Sequence, residues 1–260
     1  APAPRLEIVA SGKPLATVVV AADAGPAVQD AALELQAYVK KITGATLAIA
    51  SEDKTPAGRC IWIGRTGRAR QAGLPTDSLK PEGFVIKTFA DGLIVAGRDD
   101  AGTRHGVSTL LEKYCGVRWF MPGELGEVVP KSANLAVAVA GDVQSPAFVH
   151  RLVWWAYGRF PPGQREAYAL WQLRNKMGGV RLSAGHNLAR IVPGRKLFGT
   201  HPEYFPLIAG QRRCEEGESN WQPCTSNPAV VRLAVEAALA HFQNNPDAYS
   251  FSVSPNDGYG

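Results

Sequence analysis

Gly83-Phe84-Val85-Ile86-Lys87-Thr88-Phe89-Ala90-Asp91-Gly92-Leu93-Ile94-Val95-Ala96 reads as two β-strands folded back on one another, because an Asp-Gly pair between apolar runs is the strongest short-range hairpin signal. Downstream, Ala101 to Tyr114 predicts a helix with Asp99 or Asp100 as its cap and Gly116 as its stop. Upstream, Val28, Ala31, Ala32, Leu35, Val39 and Ile42 recur at helical spacing between Pro26 and Gly44, which predicts another helix. Residues 7–10, 16–22, 47–50 and 60–64 read as short strands. Strands and helices share one layer plan through about residue 140, as a mixed sheet covered by two helices requires.

Gly141 to Pro146 is a polar joint, so the chain is expected to hold two domains, residues 1–141 and 146–260. Beyond the joint, Val149 to Trp155, Gly179 to Ser183, Trp221 to Cys224 and Tyr249 to Val253 read as strands. Helices are expected at Gln164 to Lys176 and, capped by Ser226, at Pro228 to Gln243. Strand-then-helix steps suggest parallel βαβ units. A complete (β/α)8 barrel needs about 250 residues and only about 115 remain, so the second domain is expected to be the first half of a TIM-type barrel.

Hydrophobic residues make up 45% and charged residues 20%, the balance of an ordinary globular protein able to bury a core. The net charge of +5 is scattered along the chain, which argues for solubility and against a nucleic-acid partner. No apolar run approaches the roughly 20 residues of a membrane span. The opening Ala1-Pro2-Ala3-Pro4 suits a mature end left by leader removal, and a chosen chain boundary reads the same way. Cys60 and Cys115 lie in apolar elements and read as buried thiols, whereas Cys214 and Cys224 share one polar loop and are either free or bridged. Five isolated histidines without HxH or HExxH spacing give no metal site, and the glycine strings match neither a Walker loop nor a dinucleotide fingerprint. No cofactor is expected.

Several strings carry a family resemblance: Leu33-Glu34-Leu35-Gln36-Ala37-Tyr38, Gly102-Thr103-Arg104-His105-Gly106-Val107, Gly116-Val117-Arg118-Trp119-Phe120-Met121-Pro122-Gly123, Gly126-Glu127-Val128-Val129-Pro130, His201-Pro202-Glu203-Tyr204-Phe205 and Ser254-Pro255-Asn256-Asp257. Together they resemble glycoside hydrolase family 163, whose characterised members are endo-β-N-acetylglucosaminidases acting on complex N-glycans. The front part is also similar to the accessory domain that precedes the barrel in α-glucuronidases and in family 20 β-hexosaminidases. The resemblance implies an α/β protein with a small mixed-sheet accessory domain before the barrel. It also implies a glycan as partner and a secreted or periplasmic setting.

A barrel places its working groups at the carboxyl ends of its strands. Asn256 and Asp257 follow the last expected strand, where related N-acetylglucosaminidase barrels carry an adjacent polar pair. The resemblance implies that Asn256 orients the sugar acetamide, whose oxygen attacks the anomeric carbon, while Asp257 protonates the glycosidic oxygen. The same residues, Ser254 to Gly258, are also those a simple turn prefers. Related hexosaminidases more often carry a glutamate at the second position. Arg151 begins the first expected strand and is a candidate grip on sugar hydroxyls or an interdomain ion pair. Of Trp154 and Trp155, one is expected in the core and the other as a sugar platform. His186 and Asn187 follow the second strand with hydrogen-bonding groups suited to hydroxyls. Glu203, in the long loop, and Trp221, at the third strand, complete the substrate-binding candidates. The expected activity is substrate-assisted, retaining hydrolysis of β-linked N-acetylglucosamine. α-Glucuronidase-like hydrolysis and a non-catalytic carbohydrate-binding module are the alternatives.

Overall fold

The structure is a computed structural model that describes residues 2–155, 162–214 and 221–256. Leu6–Ala10 (β1) pairs antiparallel with Lys13–Pro14 (β2), and Ala16–Val20 (β3) enters the main sheet. Helix α1, Pro26–Thr43, starts on a proline whose fixed φ suits a first turn and stops at Gly44, in the left-handed region at φ 80. Its buried face contains all six apolar positions picked out by spacing, together with Tyr38. Ile49–Ser51 (β4), Arg59–Ile63 (β5), the short helix Gly67–Gln71 (α2) and the hairpin Phe84–Phe89 (β6) with Gly92–Gly97 (β7) follow. Asp99 is the cap of the next helix, Asp100–Thr109 (α3), its Oδ1 accepting the Gly102 N–H at 2.7 Å. α3 runs into a π-helical turn, Leu110–Tyr114, and the chain turns away at Gly116.

Two-residue strands Arg118–Trp119 (β8) and Glu127–Val128 (β9) pair with each other, Leu135–Val137 (β10) returns to pair with β1, and Asp142–Gln144 (β11) pairs with β6. The main sheet has six strands in the order β11-β6-β7-β5-β3-β4, parallel between β7 and β4 and antiparallel at the β6 and β11 end. Alternate residues of a strand face opposite sides. Val18, Ile61, Ile63, Leu93 and Val95 therefore pack in the core that contains α1 and α3, while Val19, Cys60, Trp62, Ile94 and Ala96 pack with Ala69 of α2 on the other side. Burial on both faces explains why β5 and β7 read as continuous apolar runs rather than alternating ones. Gly92 lies so close to β5 that an added Cβ would sit 2.0 Å from the Cys60 carbonyl oxygen.

The stretch expected as a joint, Gly141 to Pro146, instead supplies β11, because its main chain completes hydrogen bonds with the otherwise unpaired edge of β6. The chain divides into two compact units, Ala1–Gly179 and Val180–Gly260, so residues 146–179 belong with the front unit. They form His150–Arg151 (β12), helix Gln164–Arg174 (α4) and Gly178–Gly179 (β13). β12 and β13 pair antiparallel, not parallel, and the ladder is short because Gly179, at φ +83, leaves the β region.

The second unit holds helices Leu188–Ile191 (α5) and Gly194–Leu197 (α6), the hairpin Leu207–Ile208 (β14) with Gln211–Arg212 (β15), and helix Pro228–Asn244 (α7). Asn227, not Ser226, caps α7, because its Oδ1 reaches the Ala229 N–H at 2.9 Å. The segments 221–224 and 249–253 form no strand, and a parallel bridge joins His186 to Ser254 just past the second of them. Side chains take the ladder's place there: Ser250 Oγ accepts from Ser183 N, Asn187 Nδ2 donates to Ser252 O, and Ser252 Oγ donates to Gly185 O. Val192, Phe205, Trp221 and Val230 form this unit's small core.

Candidate functional site

The residues singled out from the sequence fall into two groups, one in each unit. In the second unit, the bridge between His186 and Ser254 sets Asn187 beside the segment that ends at Asn256. The Asn187 N–H donates to Ser254 O at 3.3 Å, and the His186 ring Nδ1 lies within hydrogen-bond distance of the Pro255 carbonyl oxygen. Asn256 is buried at 6% exposure, and both ends of its carboxamide meet main chain. Oδ1 accepts the Ala189 N–H at 3.2 Å, and Nδ2 donates to Trp221 O at 2.6 Å. Gln222 completes the link, its Oε1 accepting the Asn256 N–H at 3.0 Å. His186, Asn187, Gln222, Ser252, Ser254 and Asn256 thus form one polar cluster held by side-chain to main-chain bonds. Ser252 escaped the sequence reading because a single serine in an expected strand gives no signal of its own. Asp257 lies outside the described residues.

Trp221 is not presented to a ligand: it is 3% exposed and its ring packs 4.9 Å from that of Phe205. Its indole contributes to the small core, where burial of apolar area places it. Glu203 is exposed, and its Oε1 lies 3.2 Å from His201 Nδ1. A bond to its own main chain, then the His201 contact, holds its carboxyl below the usual range. Its side chain belongs to the loop's local structure and is not part of the polar cluster's hydrogen bonds.

In the front unit, the Arg151 guanidinium is committed inside the protein. Nη2 pairs with Glu82 Oε2, Nε donates to Lys176 O at 2.8 Å, and Nη1 donates to Phe148 O at 2.9 Å. Glu82 Oε1 accepts the Gly179 N–H at 2.7 Å, so one carboxylate ties both ends of the β12–β13 pair to the turn before β6. Each of the three guanidinium nitrogens has a protein partner, so of the two alternatives expected for Arg151 the structure contains an ion pair, within the front unit. The sequence signal that would have found Glu82 is its position in Pro81-Glu82-Gly83, where it adopts φ 64, rare outside glycine. Behind the pair, His105 is buried and its pKa is lowered: burial is the main cause, Glu82 opposes it, and Arg151 and Lys176 reinforce it. Trp154 is 65% exposed, whereas Trp155 packs edge-on against Tyr168 with ring centres 5.5 Å apart.

A second polar network secures α4. Arg174 lies over the rings of Tyr38 and Trp119, 5.2 and 5.4 Å from their centres, and pairs with Glu34 at 2.6 Å. Tyr38 donates to Glu127 and accepts from Trp119 Nε1, and burial pushes its hydroxyl pKa well up. Burial alone would raise the Glu127 carboxyl, but hydrogen bonds from Lys41 and Tyr38 prevail and hold it low. The four cysteines are free, Cys214 and Cys224 included, and burial raises Cys115 to about 12, which keeps it a thiol. Among the described residues no group of His, Cys, Asp and Glu side chains could hold a metal ion, and no helix is long and apolar enough to cross a membrane.

The mixed sheet with helices layered on it matches an accessory domain of glycoside hydrolases, and residues 6–109 match the model of the glycosyl hydrolase family 67 N-terminus. Residues 121–260, just over half of the chain, match the model described as Domain of unknown function (DUF4838). The chain belongs to that family. Among solved structures it is similar to a family GH115 4-O-methyl-α-glucuronidase, BtGH115A, with specificity for decorated arabinogalactans. That similarity has TM-score 0.51 at 20% identity and covers 67% of this chain and 25% of that one. A Flavobacterium johnsoniae chitobiase gives TM-score 0.43 at 12% identity, covering 96% of this chain and 42% of that one. A Streptomyces plicatus β-hexosaminidase in complex with GlcNAc gives 0.37 at 19% identity, covering 58% and 26%. The chain thus spans about a quarter of the glucuronidase's length. No curated protein matches it significantly.

Proposed function

We propose that this chain is the front portion of a secreted or periplasmic glycoside hydrolase that cleaves β-linked N-acetylglucosamine within glycans, retaining anomeric configuration through substrate assistance. The observation that carries the reading is the His186–Ser254 bridge, which gathers His186, Asn187 and Asn256 at one place in the chain ahead of a carboxylate, Asp257. The match of residues 6–109 to a glycosyl hydrolase N-terminal model supports the class. In this mechanism the acetamido oxygen of the substrate attacks the anomeric carbon while a carboxylic acid gives its proton to the departing glycosidic oxygen. We assign that acid to Asp257. Because the Asn256 carboxamide is already bonded to Ala189 and Trp221, we assign it to fixing the segment that carries Asp257, with no direct hold on the acetamide. His186 and Asn187 supply hydrogen bonds to sugar hydroxyls.

α-Glucuronidase-like hydrolysis is the second reading, favoured by the family 67 match and the GH115 similarity. Incubating the full-length protein with a chitobiose-core glycopeptide and with a glucuronoxylan fragment separates the two. Cleavage of the glycopeptide, lost in Asp257→Asn, supports the first; cleavage of the xylan fragment alone overturns it. Glycan affinity without turnover on either substrate identifies a binding module.

A further inference from the structure

The front unit contains a cavity of about 290 Å³ that includes none of the candidate site residues. Its lining is Thr109, Glu112, Lys113, Arg118, Gln144 and Lys176, three cations against one carboxylate. Two of the cations are compensated: Lys176 pairs with Glu112 at 2.8 Å and Lys113 with Asp142 at 2.8 Å. Arg118 differs, since its Nη1 donates to the main-chain oxygens of Glu112 and Val117 and, among the described residues, it meets no carboxylate. Those bonds aim the guanidinium without neutralising it. Thr109 is 3% exposed, yet its hydroxyl has no hydrogen-bond partner among the described residues. A buried hydroxyl left unsatisfied is costly, and native structures rarely keep one without a use. Both it and Glu112 sit where α3 gives way to the π-helical turn Leu110–Tyr114, and such turns concentrate at functional sites.

We propose that this cavity binds one acidic monosaccharide unit, the Arg118 guanidinium taking its carboxylate and the Thr109 hydroxyl and Gln144 amide its ring hydroxyls. The volume lies at the small end of ligand pockets, which run from about 300 Å³ upward, and suits a single sugar rather than a chain. A planar guanidinium matches a carboxylate through two parallel hydrogen bonds, which gives preference for a uronate over its neutral counterpart.

Titration calorimetry of the full-length protein at low ionic strength tests this with methyl β-D-glucuronide, methyl β-D-glucoside and sodium sulfate. The glucuronide is expected to bind saturably, with the glucoside and sulfate each at least about tenfold weaker. Arg118→Ala, an exposed substitution, should weaken the glucuronide about tenfold or more. Thr109→Val, nearly isosteric and deprived of no partner, should retain or raise the melting temperature while weakening the sugar about threefold. No saturable heat by about 10 mM glucuronide overturns the proposal. Equal affinity for the glucoside or for free sulfate overturns it too, as does a glucuronide affinity unchanged in Arg118→Ala. Because the variants lie in this cavity, a uronate held elsewhere in the protein would be unaffected by them and is distinguished.

Discussion

Removing the Arg151 side chain should destabilise the front unit. Arg151 and Glu82 are 17% and 16% exposed, intermediate between a surface pair contributing up to about 1 kcal/mol and a buried pair whose breaking costs about 3–5. Arg151→Ala also strips the hydrogen bonds to Lys176 O and Phe148 O, and leaves Glu82 facing only the Gly179 N–H and solvent. The loss should be about 2–3 kcal/mol, or about 4–12 °C in melting temperature for a unit of this size. Glu82→Ala should cost a similar amount, but Glu82→Gly about 1 kcal/mol less, because Glu82 occupies φ 64, where a Cβ is disfavoured. Thermal denaturation followed by circular dichroism gives all three values, and a double-mutant cycle with Glu82→Ala isolates the pair. A melting temperature for Arg151→Ala within 1 °C of the parent, accompanied by loss of glycan binding, would falsify the internal role and restore the arginine to the substrate.

His105 makes the front unit sensitive to mild acid. Burial lowers its pKa in the folded state, so the unfolded chain binds the proton more readily; stability is full above the ordinary histidine value near 6.5 and falls as pH drops through the interval below it. A His105→Gln variant should show a flatter stability profile between about pH 6.5 and 5 in urea titrations, and an unaltered slope would count against the buried neutral imidazole. Asn256→Ala should destabilise the second unit by about 2–4 kcal/mol by orphaning the Ala189 N–H and the Trp221 carbonyl; Asn256→Asp should be no milder, since a carboxylate cannot donate to that carbonyl. Hydrogen exchange at residues 185–192 reads this directly, and unchanged protection in both variants would refute it. Gly92→Ala should cost about 3 kcal/mol or more by forcing β7 from β5, visible as a lower urea midpoint.

The front unit was legible because its local signals agree with its tertiary structure: the stripe on α1, the Asp-Gly turn and the stops at Gly44 and Gly116 each have one reading, and the Asp99 cap was one of two adjacent candidates. What sequence patterning missed were long-range relations. β11 looked polar and linker-like because an edge strand needs only main-chain pairing on one side. Segments 221–224 and 249–253 have strand composition, but Asn187 and Asn256 donate to the carbonyls of Ser252 and Trp221, while the Ser250 and Ser252 hydroxyls bond to the main chain of Ser183 and Gly185, and periodicity cannot see which partner a carbonyl will find. At the candidate site, His186, Asn187 and Asn256 meet through one isolated bridge and side-chain bonds, and not through the strand ends the sequence led one to expect. The internal bonding of Arg151 was not legible either, because its partner Glu82 stands about 70 residues earlier.

The pairing of β1 with β10 sets a schedule for the newborn polypeptide. Leu6 meets Val137, so the first strand leaves the ribosome about 130 residues ahead of the strand that completes its pairing, a wait of roughly 6 to 26 seconds at ordinary synthesis rates. During that time Leu6, Ile8 and Val9, which end fully covered, are bare apolar side chains on the emerging chain. That interval is the opening for a holdase or a translocation factor, and slowing translation of the stretch that encodes residues 40–130 should lengthen its grip on β1.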